Sequence, residues 1–501
     1  MQKLFDVAQE GNISGLITLA GILFIFVGLV GGFNRSTVIS SRVLRFSLVV
    51  AGIIFFITGI HSLQSSTATV ETSTSSSPKI SIGQTIMLKG EANAGRRKGI
   101  EFFRKERYKE AEDAFKNGIR LDPRDPEVRI YNENSKVLSR DSKTFQLAAV
   151  VPITNGRGSA ESVLRGVADA QKECNINPKN NRYTIVAIAD DENDKTQAAL
   201  VASELVNQQE VIGVIGHLSS SSTKAGLKTY EKKKLAVISP ASTSTELKSK
   251  VFFRTTPSDA VGGSVIAKYA SSNPDIKKIV GVYDRSDPYS NSIWNIFKQE
   301  VESDYETSVV AVIDQFPNDN DMEDLIKKIK DKDADTVALF PTTELIKDAA
   351  SIARKIDSEF QRDILLIGGD SLYDAQTLQQ GGMAVEGMVL SVPWFSEEEN
   401  IYGQQAENTW QGKINWETAM SYDATKAFCA AAAKNIVPNR ENVLRDLEDI
   451  YLTPDETSGE ALTFSQGEVE RNSVRVRVAH SSEEGVQTPK GSNYGFKLVK
   501  D

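Results

Sequence analysis

The feature that most constrains this chain is a change of pattern at Phe145. From there to the C-terminus, short apolar runs alternate with amphipathic helical stretches. Gln146–Val151, Tyr183–Ala189, Val211–Ile215 and Leu235–Ser239 read as strands, each followed by helical periodicity or a loop. A second set comprises Lys278–Tyr283, Thr307–Ile313, Asp335–Phe340, Asp363–Ile367 and Met388–Val392. Strands separated by helices of about ten or more residues predict βαβ units and parallel sheets. The 356 residues from 145 to 500 exceed one such sheet, and the pattern restarts near residue 257. The predicted class is therefore α/β, with two parallel-sheet lobes gripping a ligand at the carboxyl ends of their strands.

Composition removes most competing functions. Lys and Arg number 58 against 67 Asp and Glu, a net charge of −9 that disfavours a nucleic-acid scaffold. Two cysteines exclude a disulfide scaffold and a four-cysteine zinc site. The three histidines, His61, His217 and His480, are scattered, and no HExxH, P-loop, GxGxxG or GxSxG occurs. No catalytic centre, cofactor or metal is predicted. Asp190, Asp191, Glu192 and Asp194 suggest a calcium loop, but Lys195 and Val201 stand where an EF-hand needs Gly and Glu. They read as a strand-to-helix turn, and Asp319, Asp321, Glu323 and Asp324 as a charged helix start. Cys174 and Cys429 lie in helical patterns with aliphatic neighbours, which predicts buried free thiols, although an oxidising compartment would permit pairing.

The N-terminal part reads differently. Residues 13–33 and 46–63 are apolar runs suited to two membrane helices, an anchor over residues 1–63. Arg35, Arg42 and Arg45 lie between them without an acidic residue, which places that loop in the cytoplasm and both ends outside it. The competing reading is a cleaved signal peptide with 46–60 as its apolar core. Either way the bulk of the chain is expected to be periplasmic or extracellular. Residues 64–90 form a Ser/Thr-rich linker, with ten Ser or Thr among the sixteen residues from Gln64 to Lys79. In 91–140, Gly99, Phe102, Tyr108, Ala111, Phe115 and Pro123 fall at the spacings of one tetratricopeptide repeat, which this segment resembles. Its two helices would bury Phe102, Tyr108 and Phe115. A lone repeat cannot cover its own faces, so it must dock on the next domain or another chain, either as a structural spacer or as a partner-binding groove.

Three blocks of the large domain carry a more specific resemblance. Val214-Ile215-Gly216-His217-Leu218-Ser219-Ser220 runs from a strand end through a polar turn into a helix. Ile238-Ser239-Pro240-Ala241-Ser242-Thr243 and Phe253-Arg254-Thr255-Thr256-Pro257-Ser258-Asp259 follow. With Val282-Tyr283-Asp284 before Pro288-Tyr289, Gly368-Gly369-Asp370 and Glu386-Gly387-Met388, the chain from 145 to about 500 resembles the branched-chain-amino-acid-binding family of periplasmic proteins, type I. The resemblance implies a two-lobed binding protein that closes on its ligand through three crossovers, near 255–260, 391–395 and 463–468. Lobe one would be 145–255 and about 395–462, and lobe two 257–391 and about 465–501.

A serine-rich turn opening a helix offers hydroxyls and unpaired N–H groups at the positive end of the helix dipole, which suits a carboxylate. The resemblance makes Ser220 the hydroxyl on that carboxylate, and the backbone carbonyl of Ala241 and the hydroxyl of Thr243 contacts of the amino-acid head. It makes Asp370 the partner of the ammonium and Tyr289 the ring that closes from lobe two. Bland readings stand beside these: a helix cap for Ser220 and Asp370, local backbone bonding for Thr243, packed core for Tyr289. His217 reads as structural. Ser159 and Thr342 stand where the family carries aromatics, and Asp370 where the branched-chain binders have the longer Glu, so the expected ligand is an amino acid or amide-like solute rather than a branched-chain one. The leading expectation is a membrane-tethered solute-binding subunit of an ABC importer. The alternative is a non-transport sensor or interaction protein of the envelope, partnered through the helical segment.

Overall fold

The computed structural model describes Val49 and residues 80–500, apart from 89, 91–92, 304–305, 318–320 and 490. Apart from Val49, both expected membrane runs lie outside the described residues, as does most of the 64–90 linker. Among the described residues no helix is long and apolar enough to cross a membrane.

The described chain opens with β1 (Ile80–Ser81) and three helices, α1 (Ala94–Arg104), α2 (Tyr108–Leu121) and α3 (Pro126–Leu138). Asn93 and Asp125 cap α1 and α3 through side-chain bonds to the N–H groups of Arg96 and Val128, and Pro126 occupies the first turn of α3, where its missing N–H costs nothing. Gly99 is where α1 meets α2: a Cβ there would lie 2.3 Å from the Phe115 ring. Phe103, rather than the expected Phe102, is the ring of α1 sunk in the core; Phe102 is half-buried beneath the Arg107 guanidinium.

The first sheet is built from β2 (Lys143–Val151), β3 (Arg182–Asp190), β4 (Val211–Ile215), β5 (Ala236–Ser239) and β6 (Phe252–Arg254), with α4 (Arg157–Ile176), α5 (Lys195–Leu205) and α6 (Ser220–Lys232) between them. Its order is β1-β3-β2-β4-β5-β6, parallel except for β1, which runs antiparallel on the β3 edge with Ile80 opposite Ala189. The chain then builds α7 (Asp259–Ser272), β7 (Lys278–Tyr283), α8 (Pro288–Glu302), β8 (Ser308–Ile313), α9 (Met322–Lys332), β9 (Thr336–Phe340), α10 (Ile346–Phe360), β10 (Leu365–Gly368), α11 (Ala375–Gly381) and β11 (Val389–Val392). It returns to the first sheet through α12 (Ile401–Trp410), α13 (Trp416–Ala433) and α14 (Arg440–Glu448), followed by the short strands β12 (Tyr451–Leu452), β13 (Leu462–Ser465) and β14 (Glu468–Val469). Finally β15 (Val474–His480) and β16 (Tyr494–Leu498) extend the second sheet, in the order β16-β15-β11-β10-β9-β7-β8. The β7–β11 strands are parallel and β15 and β16 antiparallel, so the second sheet is mixed rather than wholly parallel.

The chain passes between the two sheets after β6, after β11 and after β14. The third passage lies at 470–473, later than expected, because the Arg254 N–H donates to Gly467 O at 3.0 Å and holds the β13–β14 hairpin beside β6.

Two further expectations are corrected. The end of the Ser/Thr-rich segment is not a solvated spacer: Met87 and Leu88 are buried, and their N–H groups donate to the Glu127 carboxylate at 2.7 and 3.1 Å. Arg96 pairs with that carboxylate and with Asp125. The helical segment docks on the next domain, sharing one hydrophobic core with the β2–β5 face, α4 and α12–α14. Asn134 fixes the junction: its amide donates to Ile82 O and Val186 O and accepts from the Val186 N–H and Gln171. Cys174 and Cys429 are not free buried thiols but a half-buried disulfide between α4 and α13, with Cα atoms 6.3 Å apart. The two helices approach closely at Gly166, whose added Cβ would lie 2.1 Å from Thr418 O, and this brings the two sulfurs together.

Three outcomes follow from this packing. A chain starting at Asp141 should aggregate, whereas one starting at Lys79 should stay soluble; equal solubility and thermal midpoint would show that α3 is dispensable. Asn134→Ala should cost about 1–3 kcal/mol in urea denaturation, since it leaves buried backbone groups of β3 without partners. Replacing both cysteines with serine should cost about 2–4 kcal/mol, because the bridge closes a loop of 255 residues.

Candidate ligand-binding cleft

A cavity of about 400 Å³ lies between the lobes, lined by residues that follow β4, β5, β7, β9 and β10 and by the start of α13. This is where a parallel sheet presents helix N-termini and loops rather than side-chain faces.

On lobe one, Gly216 makes the turn after β4. Its φ is +129° and a Cβ would lie 2.2 Å from Val150 O, so only glycine brings the chain into the turn. Ser219 is the helix cap: its hydroxyl accepts from the Ser222 N–H. Ser220 is therefore released from capping. Its hydroxyl accepts the Ser244 N–H at 3.2 Å and lines the cavity beside Ala241, with its proton left for another acceptor. Thr243 does not line the cavity; it is buried behind the wall, where its carbonyl accepts the Asp259 N–H at 2.8 Å. The Arg254 guanidinium holds this loop by donating to Ser242 O and Ser244 O, both at 3.1 Å.

On lobe two, Asp287 caps α8 by accepting the Tyr289 and Ser290 N–H groups, which projects Tyr289 from the first turn. The Tyr289 hydroxyl donates to Asp370 Oδ1 at 2.8 Å. Gly369 permits this approach, since a Cβ there would lie 2.5 Å from that hydroxyl. Tyr289 and Asp370 both line the cavity opposite Ser220 and Ala241, as do Ser159 and Thr342. The lobes touch through Ser244 Oγ to Pro288 O at 2.9 Å and Thr245 N to Ser292 Oγ at 2.9 Å, and Asn193 Nδ2 donates to Glu344 Oε1 at 3.1 Å.

Sequence reasoning missed Glu417, a buried carboxylate in the first turn of α13 that also lines the cavity. The signal available was an acid within an otherwise uncharged run, Asn415-Trp416-Glu417-Thr418-Ala419-Met420. His217 is structural: its ring bonds Asp191 Oδ2 at 2.6 Å and the Tyr230 hydroxyl at 3.1 Å, fully buried. The neighbouring acids also serve the fold, with Asp190 bonding Thr154 and Asp194 capping α5. Among the described residues no group of acids, histidines or cysteines is arranged to hold a metal.

Burial pushes the Asp370 carboxyl up to about 6, against the opposing donation from Tyr289, and the Glu417 carboxyl up to about 7. Burial, reinforced by the Asp370 charge, raises Asp259 to about 8. Folded carboxyls with raised pKa hold protons that the unfolded chain has released. Their contribution to stability is therefore full below about pH 4 and is lost as pH rises through about 6–8. The ligand-free protein should resist urea better at about pH 5.5 than at about pH 8.5, and a double Asp370→Asn, Glu417→Gln variant should flatten that difference. An unchanged slope would assign the dependence to other groups.

The profile described as "Periplasmic binding protein" matches residues 146–480. The leucine-, isoleucine-, valine-, threonine- and alanine-binding protein of Pseudomonas aeruginosa is 29% identical over 272 residues, 52% of this chain and 69% of that protein. The Leu/Ile/Val-binding protein of Escherichia coli K12 is 36% identical over 124 residues, 24% of this chain and 33% of that protein. The crystal structure of a leucine-binding protein from Thermotoga maritima superposes with a TM-score of 0.62 at 18% identity, covering 71% of this chain and 98% of that one. A Streptococcus pneumoniae branched-chain amino acid transporter substrate-binding protein in complex with isoleucine gives 0.57 at 20% identity, over 66% and 100%. A profile match from β2 to the end of β15, on a chain whose two sheets meet at a shared cleft, is decisive for the family: this chain belongs to the periplasmic binding proteins of type I.

Proposed function

We propose that this protein captures an amino acid between its lobes outside the cytoplasm, as the substrate-binding subunit of an ABC importer. The observation that carries the reading is the opposition of two complementary groups across one cavity. Ser220 and the N-terminus of α6 face it from lobe one, and Asp370 with Tyr289 faces it from lobe two. A zwitterion needs both: a hydroxyl and N–H donors for the carboxylate, and a carboxylate for the ammonium. Because each lobe holds one half, occupancy favours the closed form. The two apolar runs at 13–33 and 46–63, with Arg35, Arg42 and Arg45 between them, support a membrane tether. The alternative of an envelope sensor or interaction protein draws on the helical segment and on the two apolar runs; burial of that segment's apolar face against lobe one favours a structural role for the segment.

Calorimetric titration with the twenty amino acids tests the reading. At least one should bind, Asp370→Ala should weaken it by about 2–5 kcal/mol, and Ser220→Ala should weaken it by about 1.5–3 kcal/mol, because helix N–H donors remain. Absence of binding by every amino acid would leave the sensor reading in its place.

A further inference from the structure

The cleft is charged in one sense. Of the charged side chains that line it, seven are carboxylates and the single cation is Lys195. Among the described residues none of these carboxylates is ion-paired. Four of them have a local duty that uses one oxygen: Asp194, Asp287 and Asp374 cap helices, and Asp284 accepts from Ser286. Glu344 accepts from Asn193 across the mouth.

The remaining two, Asp370 and Glu417, differ from these. They come from opposite lobes, and their residues are only 8% and 7% exposed. A zwitterion's ammonium accounts for one of them. Glu417 lies near Ser159 and Asp374, and Trp416 and Tyr373 line the same cavity. An acid in the first turn of a helix is favourable in itself, but the dipole does not require it to be sunk in a cavity wall. Its Oε2 accepts from the Asn415 amide at 2.9 Å, and Ser159 and Ser162 lie near it. These partners solvate a carboxylate without neutralising it. An aliphatic ligand side chain seated here would strip water from Glu417 and Asp374 and return no charge, which is unfavourable. A side chain with an alkyl stem and a cationic end would lie along the Trp416 and Tyr373 rings and meet both acids. The short Ser159 and Thr342 side chains leave the room that such a stem needs.

We propose that the cleft selects an amino acid whose side chain ends in a positive charge, with Asp370 taking the α-ammonium and Glu417, backed by Asp374, taking the side-chain cation. This rests on the amino-acid capture reading and specifies its ligand class.

The test is calorimetric titration of the full protein with L-lysine, L-arginine, L-leucine and L-norleucine, the last a neutral match for the lysine stem. L-lysine or L-arginine should bind at least about tenfold more tightly than L-norleucine, and binding should release protons when buffers of different ionisation enthalpy are compared. Glu417→Gln should cut the lysine-to-norleucine preference to less than about threefold, and Asp374→Asn, at a half-buried position, should reduce it in the same direction. Circular dichroism checks that each variant is folded. L-leucine or L-norleucine binding as tightly as L-lysine would overturn the charge selectivity while leaving amino-acid capture intact. A preference for L-lysine that survives both substitutions would overturn the assignment of Glu417 and Asp374. Failure of all four ligands would remove this proposal; whether the capture reading falls with it is decided separately by the twenty-amino-acid panel.

Discussion

The Arg254 guanidinium is the interaction on which the cleft depends. It is 1% exposed, at the last residue of β6 before the first crossing. Its Nη1 donates to the carbonyls of Ser242 and Ser244, its Nη2 to Glu468, and its backbone N–H to Gly467. One side chain thereby shapes the loop that carries Ala241, seats Ser244 against Ser220 and Pro288, and ties the β13–β14 hairpin to the first sheet. A planar group with several fixed donors can do this, where a lysine ammonium could not span the same acceptors. The third passage, from the first lobe to the second, has a similar device. Arg471 meets Asp423 in a fully buried pair, and Asp423 also accepts the N–H and hydroxyl of Ser458. Buried pairs of this kind specify one arrangement more than they add stability.

Most of the architecture was legible because strands buried on both faces write continuous apolar runs, which Val211–Ile215 and Lys278–Tyr283 do. The blocks around Gly216 and Gly369 were legible through their resemblance to a known family, and each glycine stands where a side chain would collide with the backbone or with Tyr289. What stayed hidden depends on contacts between distant parts of the chain. Nothing local to Asn134 reveals that its amide will serve a strand 52 residues away. Nothing local to Cys174 and Cys429 reveals that α4 and α13 cross at Gly166 and align the two sulfurs.

The site was legible in part. Ser220, Ala241, Tyr289 and Asp370 converge on one cavity, and Thr243 stands behind its wall. Ser219, not Ser220, does the capping, a distinction of one residue that a run of four serines cannot express in sequence. Asn415 marks the start of α13 locally, but that Glu417 faces the cleft depends on how α13 packs against α4, which no local pattern records.

The weld between α3 and lobe one has a mechanical consequence. The helices share that lobe's core, and Asn134 and Glu127 fix them to β3 and to the turn at 87–88. Lobe two is joined to this body by three strands of chain, at 255–258, 393–400 and 470–473. The two halves are therefore not equivalent as levers. A restraint applied through the helices acts on lobe one, and on the proposed capture reading closure on a ligand would displace lobe two against that frame. A partner that distinguishes the filled from the empty protein would gain most by reading the position of lobe two against the fixed frame of the helices.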